Sequence, residues 1–96
     1  MVRQFYVLVD NHFKEKKMVQ DYANMLHRSP KTLSNLFTTC GLPSPLRIIH
    51  ERIEAEAKRL LLYSQKSAKE ITEILGFEDQ ATFSRFFKEK DGRKRL

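Results

Sequence analysis

The chain has one cysteine, Cys40, and no tryptophan among its 96 residues. A single thiol cannot close an internal disulfide, so packing alone must hold the fold, and a reducing, cytoplasmic (bacterial) setting is expected. Three glycines and three prolines are few, which argues against a turn-dense all-β or disordered chain and for helices. No apolar run approaches the roughly 20 residues that a bilayer span needs, so no membrane partner is expected. The opening MVRQFYVLVDNHF has a short apolar patch but no small-residue cleavage site, which argues against a signal peptide.

Constellations for chemistry are scarce too. His12, His27 and His50 share no metal-ligand spacing with one another or with Cys40. There is no glycine-rich phosphate loop and no arguable Cys-His-Asp arrangement. Glu51, Glu54 and Glu56 have i,i+4 partners such as Glu54–Lys58, as a solvated helix face does. No enzyme, cofactor or metal is expected. What the chain does have is positive charge: 18 Lys and Arg against 12 Asp and Glu, a net +6. A core this small leaves function to the surface. The charge favours a polyanion or an acidic protein as partner.

The chain also repeats itself. VQDYANMLHRSPKTLSNLFTT, 19–39, aligns with AKEITEILGFEDQATFSRFFKE, 68–89. Thr32-Leu33-Ser34-Asn35-Leu36-Phe37 matches Thr82-Phe83-Ser84-Arg85-Phe86-Phe87. Tyr22, Met25 and Leu26 match Ile71, Ile74 and Leu75. The second copy has one extra residue between these patterns, as a turn between two helices allows. One helix–turn–helix unit is therefore used twice.

Each unit is punctuated accordingly. Val19, Tyr22, Ala23 and Leu26 recur at helical spacing, and a turn follows at His27-Arg28. Ser29 caps a second helix with Pro30 at its first position, and Leu33, Leu36 and Phe37 form its inward stripe. In the later copy Ser67-x-x-Glu70 is a capping box, and Gly76 suits a left-handed turn. Glu78 or Asp79 caps the next helix, with Phe83, Phe86 and Phe87 inward. Between the units, Ser44 and Pro45 open a long amphipathic helix, about 45–63, with Leu46, Ile49, Ile53, Ala57, Leu60 and Leu61 inward. Its length is roughly 28 Å, which with the turns at its ends spaces the units about 30–35 Å apart, close to the ~34 Å turn of B-DNA. A further helix, about Arg3 to Phe13, with Phe5, Leu8, Val9 and Phe13 inward, completes the first unit. The expected fold is all-α and homeodomain-like: a first unit at 1–41, a linker helix at 43–64, a second unit at 66–92 and a basic tail at 93–96.

YANMLHRSPKTLSNLF, EAKRLL and KEITEILGFEDQATFSRFFKEKDG together resemble the DNA-binding domain of the AraC/XylS family of bacterial transcription regulators. The resemblance covers about residues 5–92, and the last segment, with its Gly-Phe turn and F-S-R-x-F-K core, is the family signature. It implies two helix–turn–helix units on asymmetric promoter DNA, activation of transcription beside RNA polymerase, and a separate effector-sensing or dimerisation domain. Three departures stand out. Thr72 replaces a usual alanine, and Ala68 a usual isoleucine or valine. After Gly92 the pattern should continue into a final helix, but the chain gives Arg93-Lys94-Arg95-Leu96. The final helix of the family is therefore expected to be absent, and a truncated piece of a larger regulator is expected.

In a helix–turn–helix the second helix enters the major groove. In the first unit this is about 30–39, where Lys31, Thr32, Ser34 and Asn35 point away from the apolar stripe. The resemblance places Lys31, Ser34 and Asn35 at base-facing positions, and Asn pairs well with adenine. In the second, about 79–89, the outward set is Gln80, Ala81, Ser84 and Arg85, with Lys88 beyond them. Arg85 suits a guanine or a phosphate, and Ala81 only a thymine methyl. Arg28, Ser29, Lys66, Lys69 and Lys88 are expected on phosphates, helped by the Arg93–Arg95 run. Two other uses fit the same residues: a scaffold for protein–protein contact, and a basic DNA binder without sequence preference.

Overall fold

A computed structural model gives the fold; it describes residues 1–92, and side chains as far as Phe87. The described residues form six helices: α1 Val2–His12, α2 Val19–Met25, α3 Pro30–Thr39, α4 Pro45–Tyr63, α5 Ala68–Ile74 and α6 Gln80–Gly92. There is no strand among the described residues. The chain divides into two compact units, Met1–Arg52 and Ile53 onward, so the boundary falls inside α4. Helix α1 starts and ends one residue earlier than the periodicity suggests. Helix α6 begins one residue later than expected, because Asp79 serves as its cap, and it runs on to Gly92.

The first unit is built around an aromatic cluster. Phe5 of α1 meets Tyr22 of α2 at 5.6 Å between ring centroids and Phe37 of α3 at 5.1 Å, both edge-on. Phe5, Tyr22, Ala23, Leu33 and Phe37 are completely buried. Each large side chain removed from water contributes about 1.5–3 kcal/mol. The Tyr22 hydroxyl donates to the Lys16 carbonyl at 2.6 Å, which settles the one polar atom brought in with the ring. Burial, with Asp21 and Glu15 nearby, pushes its pKa up to about 12. Arg52 joins α4 to α1: its guanidinium lies 4.3 Å from the Phe13 ring centre, and its Nε donates to Asp10 Oδ1 at 2.8 Å.

Among the described residues, the second unit buries Ile53, Ala57, Leu60, Ile71, Leu75 and Phe83, with Glu56 and Thr72. Thr72, the departure from alanine, is accommodated because its hydroxyl donates to the Ala68 carbonyl at 2.8 Å. Phe77 lies 5.4 Å from both Phe83 and Phe86, and Phe83 stacks on Phe87 at 5.9 Å. Phe77, Phe86 and Phe87 remain only half-buried.

Two expected inward residues of α4, Leu46 and Leu61, are exposed. Successive i+4 steps rotate a position by about 40°, so extending the stripe from Ala57 to Leu61 carries it off the buried face. Leu46 lies in the first turn, where Pro45 is the residue that is buried. Glu56 falls on the buried face instead, and Arg59 donates two hydrogen bonds to its carboxylate.

Three helices end on one motif. After α2 the Arg28 N–H reaches back to the Ala23 carbonyl and the His27 N–H to that of Asn24. After α3, Leu42 bonds Phe37 and Gly41 bonds Thr38. After α5, Phe77 bonds Thr72 and Gly76 bonds Glu73. Each is a Schellman ending, which needs a left-handed residue. Gly41 and Gly76 supply it at φ 72° and 78°, and His27 supplies it at φ 58°. The internal repeat therefore extends to the turn, with His27 standing where the second unit has glycine.

Candidate nucleic-acid interface

Each unit presents the helix after its turn in the same way. Ser29 has extended backbone, and its Oγ accepts the Thr32 N–H at 3.1 Å, which fixes where α3 begins. Pro30 follows with the φ that a first helical turn requires. The apolar positions Leu33 and Phe37 are buried, which turns Lys31, Thr32, Ser34 and Asn35 to solvent. Lys31, Ser34 and Asn35 share one face, since residues three and four apart are neighbours. Thr38, also exposed, continues that face by the same spacing. Thr38 was not among the expected residues, although its spacing from Ser34 and Asn35 is visible in the sequence. Thr32 is partly committed to the cap, because its hydroxyl pairs with Ser29 Oγ at 2.9 Å.

In α6, Asp79 Oδ1 accepts the Thr82 N–H at 2.7 Å. That choice settles the cap between Glu78 and Asp79. Phe83 is buried, and Gln80, Ala81, Ser84 and Arg85 are exposed. The bonds from Thr82 hold the Asp79 carboxyl below its usual range, with a smaller contribution from Arg85. Ahead of α5, Ser67 and Glu70 form the full reciprocal capping box, and those bonds lower the Glu70 pKa.

Of the residues expected on phosphates, Arg28, Ser29, Lys66 and Lys69 are exposed. Arg28 precedes the α3 cap and donates from Nη1 to the His27 carbonyl at 3.1 Å. Lys66 and Lys69 flank the start of α5. The side chain of Lys88 and the whole Arg93–Arg95 run lie outside the described residues. No group of three His, Cys, Asp or Glu residues suited to a metal occurs among the described residues. The α3 face offers an ammonium, an amide and hydroxyls with no carboxylate, a set able to donate to and accept from base edges and to donate to phosphates.

A family model for a helix-turn-helix domain matches residues 22–93, which contain both of these turns. The chain belongs to the AraC-type helix-turn-helix family. The family is a class of DNA-binding transcription regulators and not of enzymes. Similar proteins include two from Bacillus subtilis, the uncharacterized HTH-type transcriptional regulators YobQ, 27% identical over 88% of this chain, and YisR, 30% identical over 88%. The raffinose operon transcriptional regulatory protein RafR of Pediococcus pentosaceus is 31% identical over 77%. The aligned part covers 35%, 29% and 27% of these three proteins, so the AraC-type chain described here corresponds to about a third of their length. No solved structure matches it. Among the described residues, no helix is long and apolar enough to cross a membrane.

Proposed function

We propose that this AraC-type chain binds double-stranded promoter DNA with sequence specificity, laying α3 and α6 into successive major grooves. Lys31, Thr32, Ser34 and Asn35 read bases in one groove, and Gln80, Ala81, Ser84 and Arg85 in the next. Arg28, Ser29, Lys66, Lys69 and Lys88 hold phosphates. The observation that carries the proposal is the exposed, carboxylate-free row Lys31, Ser34, Asn35 and Thr38 on the helix that follows the turn. On this reading the chain activates transcription beside RNA polymerase, within a longer regulator that carries an effector-sensing or dimerisation domain.

Selection from a random duplex pool at about 150 mM salt, where sequence-blind attraction is suppressed, tests this. Two short motifs about 10 base pairs apart are expected. A single motif would restrict base reading to one unit. No enrichment by a folded chain would sink the proposal and favour a protein-contact role.

A further inference from the structure

The two recognition helices are capped by repeat partners of different charge. Helix α3 starts from Ser29, whose neutral hydroxyl accepts the Thr32 N–H at 3.1 Å. Helix α6 starts from Asp79, whose carboxylate accepts the matching Thr82 N–H at 2.7 Å. Both caps are exposed. From Ser29 to Cys40 there is no acidic residue, whereas Glu78 sets a second exposed carboxylate beside Asp79. The hydrogen bonds from Thr82 keep Asp79 ionised at neutral pH. In a helix–turn–helix the leading end of the second helix is the part that approaches the base edges and their flanking phosphates.

We infer that Asp79 limits affinity within the DNA-binding surface: its carboxylate caps α6 at the end that faces the duplex and opposes the phosphate field, while Ser29 caps α3 without that opposition. The inference rests on the DNA-binding proposal above and adds to it a brake located in the second unit. A carboxylate about 6 Å from a phosphate in water opposes binding by roughly threefold, and more where water is excluded. Salt weakens the effect, since charges are screened over about 10 Å at 0.1 M. Charge and capping can be separated here, because Ser and Asn cap helices about as well as Asp.

The test is a reciprocal exchange in the full chain, Asp79→Ser and Ser29→Asp, measured by fluorescence anisotropy on the duplex enriched from the random pool. Titrations at about 50 mM and 200 mM salt bracket the screening. Asp79→Ser is expected to bind about two- to fivefold tighter at the lower salt, with a smaller gain at the higher. Ser29→Asp is expected to bind more weakly by at least as much. Helix content and Tm should stay near those of the parent for both. Should Asp79→Ser lose helix content, Asp79→Asn keeps both shape and cap and carries the same expectation. Unchanged affinity at low salt would overturn the inference, since α6 would then not present its leading end to the duplex. Weaker binding would also overturn it, by showing that the carboxylate accepts a favourable contact such as a cytosine amino group. If the parent chain bound no duplex, the DNA-binding proposal itself would fall, an outcome distinct from the other two.

Discussion

The first unit buries Phe5, Tyr22, Leu33 and Phe37 completely, whereas the second leaves Phe77, Phe86 and Phe87 half-buried. The two units share a helix–turn–helix pattern residue by residue, yet they differ in what lies behind it. In the first, α1 puts Phe5 against Tyr22 and Phe37. In the second, Phe83 and Phe87 stack along one side of α6 itself, with Phe77 from the turn against Phe83. A repeated motif therefore specifies helices and turns, while its stability depends on the element that covers its apolar side.

The matched pair Phe37 and Phe87 gives the sharpest test and the largest effect. Phe37→Ala should destabilise the first unit by about 3–5 kcal/mol, the usual loss for a fully buried ring. Phe87→Ala should cost less than half of that, read by urea unfolding with a probe in each unit. Equal losses would end the distinction between the cores.

Next in size is base reading. Asn35→Ala should weaken binding to the selected duplex by about 1–3 kcal/mol and relax preference at one position. Lys69→Ala should weaken binding by a similar factor on every duplex. Quantitative binding to a set of single-base variants separates the two patterns.

Alkaline pH should also distinguish the units. The Tyr22 phenol ordinarily ionises at 10.0, and in the folded chain at about 12. Below pH 10 both states keep the proton, and the full stabilisation is present. As pH rises from 10 towards 12, the unfolded state loses its proton first, so stability drains from the first unit. The tyrosine of the second unit, Tyr63, is 82% exposed and is not part of a core. Near-ultraviolet circular dichroism followed against pH should therefore report loss of the first aromatic cluster before helix content falls elsewhere.

The smallest effect concerns the turns. His27→Gly should stabilise the first unit by up to about 1 kcal/mol, because a side chain in left-handed backbone is strained. Gly76→His should destabilise the second by a similar amount. Thermal melts of the two exchanges should move in opposite directions.

Much of this was legible in the sequence. Ser29, Ser44 and Ser67 cap the helices they were expected to cap, because capping is chemistry of a few adjacent residues. The outward positions on α3 and α6 followed from burial of Leu33, Phe37 and Phe83 at helical spacing. Three features were harder to read. Leu46 and Leu61 looked inward, since an apolar pattern gives no sign of which turn lies under cover. Glu56 did not look inward, because a carboxylate on a buried face is betrayed only by a partner such as Arg59. His27 gave no sign of left-handed backbone, which glycine announces and histidine does not. The roles proposed for Lys31, Ser34, Asn35 and Arg85 depend on chemistry with a second molecule, whereas the exposure of their side chains follows from the helical spacing.

The histidine at the first turn bears on how genetic data for this chain will look. His27 sits two residues before the cap of α3 and holds backbone that few side chains accept. A saturation scan for promoter binding would tolerate Gly, Asn and Asp there and reject bulky β-branched residues. The position would stand out from its exposed neighbours and could be mistaken for a base contact. Its profile would separate the two, because a residue that reads DNA is not replaced without loss by glycine.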